Sequence, residues 1–168
     1  MTDGTLNGGD EIEIRPGANI NNKWTPLRTK LAEIIHGSKK SEKAKPGGLV
    51  ALQTELDPAL TRGDGLAGSI AGYPEYLPPV YEELKLNISL FDYVIGVGGH
   101  QNVPSIKVNN PLMLTAGIAK TVGIVTNAKK SAITIKLKIP VCAEKNDKVA
   151  VAMQVSGRWH LVGYGVIS

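Results

Sequence analysis

Residues 45–68, KPGGLVALQTELDPALTRGDGLAG, carry the densest backbone punctuation in the chain around a short strand-like run, and their reading decides the fold. Pro46-Gly47-Gly48 is a turn, because proline fixes φ and glycine takes positive φ without a Cβ clash. Leu49-Val50-Ala51-Leu52 is a short apolar run bounded by turn residues and reads as a strand. Asp57-Pro58 opens a second turn. Gly63, Gly65 and Gly68 then let the backbone approach another surface closely, either its own sheet or a ligand.

Working outward toward the N-terminus, Glu11-Ile12-Glu13-Ile14-Arg15 alternates at period two, with both isoleucines on one strand face and the charges on the other, and Pro16-Gly17 ends the strand. Residues 19–23 read as a polar loop. Residues 24–35 return to strand-like character, although Leu27, Leu31, Ile34 and Ile35 also fit helical spacing. Residues 37–45 read as a solvated lysine-rich loop with Lys39, Lys40, Lys43 and Lys45, and a phosphate contact is the sharper alternative.

Toward the C-terminus, Tyr76-Leu77-Pro78-Pro79 reads as a semi-rigid connection, dividing the chain into domains 1–78 and 79–168. Leu84, Leu86, Ile88 and Leu90 alternate with polar residues, and the apolar stretch continues through Phe91 to Ile95. Gly96-Val97-Gly98-Gly99-His100 lacks the Lys-Ser/Thr of a phosphate loop and reads as a flexible hairpin loop. Strands are predicted over 112–116, 121–127, 133–139, 149–155 and 159–167, the spacing of a small all-β barrel. Lys136 and Lys138 should face solvent. Turns are expected at Asn146-Asp147 and Ser156-Gly157-Arg158. Trp159 and Tyr164 have the chemistry of base-stacking platforms, but in a barrel-closing strand they read as core or seam residues.

The bulk properties narrow the classes. The chain has 168 residues, is 42% hydrophobic and 20% charged, and carries a formal charge of +4, a mild excess that favours polyanions without requiring one. Cys142 stands alone in an apolar run, so it forms no intrachain disulfide and reads as a buried, inert thiol. No apolar run reaches membrane-spanning length, and no secretory signal opens the sequence, so a cytoplasmic protein is expected. His36, His100 and His160 have no metal or catalytic partner at readable spacing, and no nucleophile elbow or paired carboxylates emerge. Arg62-Gly63-Asp64 spells an adhesion tripeptide, but without a secretion signal it carries no weight.

PGGLVA, LDPALTRGDGLAGS and GDEIEIRPG together resemble the second domain of the gamma subunit of archaeal and eukaryotic translation initiation factor two. PLMLTAGIAKTVGIVTNAKK, IKLKIPVCAE and GRWHLVGYGVI resemble its third domain. The resemblance implies two consecutive translation-factor-type β-barrels, the first incomplete at its N-terminus, and a strand over residues 24–35. It implies partners as well: initiator methionyl-tRNA, the alpha subunit of the factor and the small ribosomal subunit. It places the aminoacyl-end site at Lys45, Gly47, Gly48, Leu49, Thr61, Arg62, Ala71 and Gly72, with Tyr73 beside them. No G-x-x-x-x-G-K-[ST] loop occurs, so GTP and magnesium are expected in a family domain that this chain lacks, leaving a non-enzymatic fragment without a cofactor of its own. The alternatives are the aminoacyl-tRNA-binding barrels of a related elongation factor, or a subunit-docking fragment that does not bind RNA.

Overall fold

The structure is a computed structural model that describes residues 3–97 and 101–168. Its chain divides into two compact units between Leu77 and Pro78. The expected hairpin loop through Gly98-Gly99-His100 lies outside the described residues, as does any role for His100.

In the first unit, β1 (Leu6–Asn7), β2 (Glu11–Ile20), β3 (Lys23–His36), β4 (Lys39–Ser41), β5 (Lys43–Ala44), β6 (Val50–Thr54) and β7 (Ile70–Gly72) form a curled, open arrangement. The main sheet runs β4-β3-β2-β7, with β6 also paired to β3, and β1 pairs separately with β5. β3 is the spine: residues 23–30 pair with β2, and its far end pairs with β4 on one edge and β6 on the other. Its strand identity over 24–35 settles the rival helical reading.

Three local expectations need correction. Pro16-Gly17 does not end β2; the strand continues to Ile20 through a register shift between Ile14 and Ala18. Gly17 makes this bulge possible, since its φ is +88° and a Cβ there would run into the Thr25 carbonyl oxygen. The polar loop over 19–23 shrinks to Asn21-Asn22, whose φ values of 52° and 62° suit the primed turn that a two-residue hairpin needs. The lysine-rich segment 37–45 is also not pure loop, because it contains β4 and β5 with their lysines exposed.

The second unit is a closed barrel of β8 (Val80–Leu90), β9 (Pro111–Ala116), β10 (Ala119–Lys129), β11 (Ala132–Cys142), β12 (Lys148–Val155) and β13 (Arg158–Ile167), in the order β10-β11-β8-β13-β12-β9. Period two explains the inside of it. Ile133, Ile135 and Leu137 are buried, while Lys136 and Lys138 point to solvent. Leu84, Leu86, Leu112, Leu114, Val149 and Val151 complete the layers, each such burial stabilising by about 1.5–3 kcal/mol before the entropy of ordering is subtracted. Cys142 is buried, as expected. Within the stretch where the β11–β8 register slips, between Lys136 and Val141, buried Thr121 of β10 holds the Ile139 backbone: its hydroxyl donates to the Ile139 carbonyl at 2.8 Å and accepts from the Ile139 amide at 3.1 Å.

Candidate functional site

The eight residues singled out from sequence fall at three places in the first unit. Lys45, Gly47, Gly48 and Leu49 form the loop between β5 and β6, and Leu49 is 90% exposed. Gly47 and Gly48 both have positive φ, and a Cβ on Gly48 would sit 2.9 Å from His36 Nε2. This loop backbone therefore lies against the histidine that ends β3. Thr61 and Arg62 are exposed in the 3-10 segment Pro58–Asp64, which Asp57 caps by accepting from the Ala59 amide at 2.8 Å. The Thr61 hydroxyl donates to the Pro58 carbonyl at 3.0 Å. Gly65 presses against the Leu60 carbonyl of the same segment, so the close approach foreseen there is to its own backbone.

Ala71 and Gly72 lie on β7, paired with Ile14 and Glu13 of β2. These positions do not converge on one pocket. Val50, next to Leu49, pairs with His36, whereas Gly72 reaches β3 through Glu13 and Arg28. Eight residues of β3 separate those anchor points, roughly 25 Å of extended chain.

Sequence reasoning missed the group that organises the β7 end. Glu13 is 4% exposed, although strand alternation placed it with the solvent-facing charges. Its carboxylate accepts from Arg15 Nε at 2.5 Å and from Arg28 Nε at 2.8 Å. Arg15 also donates Nη1 to the Leu77 carbonyl at 2.9 Å and Nη2 to the Pro74 carbonyl at 3.1 Å. Burial pushes the Glu13 carboxyl up, but the hydrogen bonds and charges of the two arginines outweigh it and hold the group below its ordinary value. The available signal was a glutamate and an arginine two apart on one strand, with a second arginine opposite across the hairpin.

Beside this group, the Tyr73 hydroxyl donates to Asp10 Oδ2 at 2.6 Å, and that oxygen also accepts from the Asn7 amide at 2.7 Å. The Tyr73 bond is the largest influence lowering the Asp10 carboxyl, and the same bond raises the Tyr73 phenol. The turn before β2 is thereby tied to the segment after β7.

In the second unit, Trp159 and Tyr164 are 36% and 39% exposed on the outer face, contrary to the core or seam reading. Lys148 Nζ lies 5.7 Å from the centre of the Tyr164 ring. Phe91, Tyr93 and Ile95 are exposed as well, with Val94 the buried member of that run. His160 Nδ1 lies 3.1 Å from the Ile95 carbonyl. The basic excess belongs to this unit: residues 78–168 hold ten Lys/Arg against five Asp/Glu, whereas the preceding residues hold nine against ten.

Among the described residues, no three His, Cys, Asp or Glu come together as a metal site, and no helix is long and apolar enough to cross a membrane. Fold and surface define a class of protein: a curled half-barrel followed by a closed six-stranded barrel, with exposed glycine-rich and basic segments. Residues 82–167 match the family model described as Initiation factor eIF2 gamma, C terminal, and the chain belongs to that family of translation initiation factors. It is 44% identical over 168 residues to translation initiation factor 2 subunit gamma of Methanococcus vannielii, covering 98% of this chain and 41% of that protein. It is likewise 44% identical over 171 residues to the subunits of Pyrococcus horikoshii and Methanopyrus kandleri, covering 99% of this chain and 42% and 41% of theirs. The chain thus spans about two fifths of the length of these curated relatives.

Proposed function

We propose that this chain serves translation initiation in the cytoplasm as a non-enzymatic binding module, corresponding to the second and third domains of a factor-two gamma subunit. Its first unit would offer one wall of the site for the aminoacyl end of initiator methionyl-tRNA and a platform for the alpha subunit, within a complex delivered to the small ribosomal subunit. The observation that carries this reading is the match to gamma subunits across 98–99% of the chain. It favours initiation over a related elongation factor. The exposed Gly47-Gly48-Leu49 loop and the Ala71–Gly72 strand supply backbone open to a nucleotide, and the exposed Lys45 and Arg62 supply charge for phosphates.

GTP and magnesium belong, in this reading, to a part of the relatives that the chain does not span. The residues present do not fit them, since the sequence holds no phosphate-loop motif and the described residues hold no carboxylate cluster for a metal.

A second reading, a fragment that docks the alpha subunit without binding RNA, is favoured by the separation of the candidate residues along β3. Titrating initiator methionyl-tRNA, charged and uncharged, into the chain with and without the alpha subunit, at two salt concentrations, tests both. A salt-sensitive preference for charged tRNA is expected. Tight alpha-subunit binding without tRNA binding would overturn the first reading in favour of the second.

A further inference from the structure

The segment from Gly72 to Leu77 follows the edge strand β7 and, beyond the exposed Tyr73 hydroxyl bonded to Asp10 at its start, has little of its own to hold it. It contains the short 3-10 turn Pro74–Tyr76, and none of its residues is buried. Such a segment would ordinarily be among the first to open. Two independent contacts at Leu77 oppose this. Its carbonyl accepts from Arg15 Nη1 at 2.9 Å, and its side chain lies over Gly72, where an added Cβ would come within 3.1 Å of Leu77 Cδ2. The same guanidinium reaches the Pro74 carbonyl at 3.1 Å through Nη2, while its Nε is held by buried Glu13 at 2.5 Å. One planar fork thus engages the Glu13 carboxylate and two carbonyls three residues apart. Lysine, with a single ammonium on a flexible stem, cannot reproduce that geometry.

We propose that Arg15 is a positioning residue for the aminoacyl-end site: it clamps residues 72–77 over β2 and so fixes the surface that Ala71, Gly72 and Tyr73 present to a ligand. This inference rests on the proposed function for its consequence but not for the clamp itself. Arg15 touches no substrate in this scheme. It acts through the backbone it grips, by sparing the site the cost of ordering an open segment when the tRNA end arrives.

The test is Arg15→Lys in the full chain, read by amide exchange at two reporters and by tRNA binding. The Tyr76 amide, bonded to the Tyr73 carbonyl at 3.0 Å, reports the clamp. The Leu31 amide, bonded to the Asp10 carbonyl at 2.9 Å, reports the rest of the first unit. In the variant, Tyr76 should exchange about tenfold faster while Leu31 stays within about twofold. The preference for charged over uncharged initiator tRNA should fall about fivefold. Unchanged exchange at Tyr76, or an equal rise at both amides, would overturn the clamp. A freed Tyr76 with wild-type tRNA preference would overturn the positioning role. If the wild-type chain binds both tRNA forms equally, the aminoacyl-end reading and the positioning role fall together, and the exchange result still decides the clamp.

Discussion

The two units solve the same problem of covering a β-sheet in different ways. The second closes its sheet on itself, so every strand has two neighbours, and nineteen buried apolar residues gather into one core among the described residues. The first stays open. Its principal cluster is five buried residues, Leu6, Ile12, Leu31, Ile34 and Ala44, and the buried residues beyond it include the charged carboxylate of Glu13 along with Ile14, Leu27 and Thr29. Closure lets burial alone specify the second unit, whereas the first depends on directional polar contacts at its edges. The exposed surfaces follow from that contrast, since the open unit leaves its glycine-rich loops and short strands uncovered.

The largest test of this difference is to remove the same chemistry from both cores. Ile135→Ala in the barrel should cost about 4 kcal/mol, because six paired strands restrict collapse into the cavity. Ile12→Ala in the open unit should cost nearer 2 kcal/mol, the low end for such a truncation, since fewer neighbours pack on it. Trp24 lies in the first unit and Trp159 in the second, so denaturant melts of single-tryptophan variants follow each unit separately. Two transitions are expected, the first unit at lower denaturant. Equal losses or one shared transition would break the comparison.

Next in size is Glu13→Ala, expected to destabilise the first unit by about 2–3 kcal/mol. The pair with Arg15 is part-buried, with only the Glu13 end fully covered, whereas Arg28 keeps 64% of its side chain exposed and loses little when its partner goes. Trp24 fluorescence should report the loss, with the Trp159 transition unmoved. A cost below about 0.5 kcal/mol would reduce the ion group to an ordinary surface pair.

Residues 133–139 show why so much of the barrel was legible. In ITIKLKI the alternation that a solvated sheet face demands runs unbroken from Ile133 to Lys138, with Ile133, Ile135 and Leu137 inward, and fails only at exposed Ile139, where the register with β8 slips. Reading failed where a tertiary neighbour reset the local rule. Pro16-Gly17 carries a strand-breaking signature, yet Thr25 across the hairpin resumes pairing at Ala18 and turns the break into a bulge. On β13, Trp159 and Leu161 face outward, Val162 and Gly163 are both buried, and Tyr164 faces outward again. That slip accompanies the register shift between Val151 and Ala152 on β12 and cannot be seen in either strand alone. In the candidate site, the glycines were readable because turns require them. The Glu13–Arg15–Arg28 group was not, because its members meet through a hairpin register and a return of the chain at Leu77.

Acid should separate the units as well. Asp10 and Glu13 both have carboxyls held below their ordinary values in the folded chain, so each contributes stability that is present above the unfolded value of about 4 and is lost as pH falls through the lowered folded value. A Trp24-reported midpoint that drops over this window, and flattens in Glu13→Gln, is the expected result. The barrel has no buried carboxylate among its described residues and should respond less over the same range. Tyr73→Phe is smaller, about 1 kcal/mol, because it removes only the exposed hydroxyl's contacts with Asp10 Oδ2 and the Thr5 carbonyl and leaves the ring in place. It should also let the Asp10 carboxyl rise, seen by carbon NMR. An Asp10 unaffected by the loss of the hydroxyl would remove this tie from the account of the open unit.

The smallest effect on stability is also the sharpest on function. Leu49 is 90% exposed at the tip of a loop whose glycines have positive φ, so Leu49→Ala removes almost no buried area and should change stability by less than about 0.5 kcal/mol. From that position the side chain adds little to the isolated fold, so the variant isolates whatever contact the loop makes with a partner. If the loop forms part of the tRNA-end wall, Leu49→Ala should weaken charged tRNA about tenfold, the scale of one apolar side chain buried in a complex, while leaving the salt dependence alone because no phosphate contact is lost. If the loop instead seats the alpha subunit, the same variant should weaken that subunit and leave tRNA unchanged. Since the two candidate groups lie roughly 25 Å apart along β3, Leu49→Ala and Arg15→Lys need not affect the same ligand, and the pairing of variant with ligand would show which end of the open sheet serves which partner.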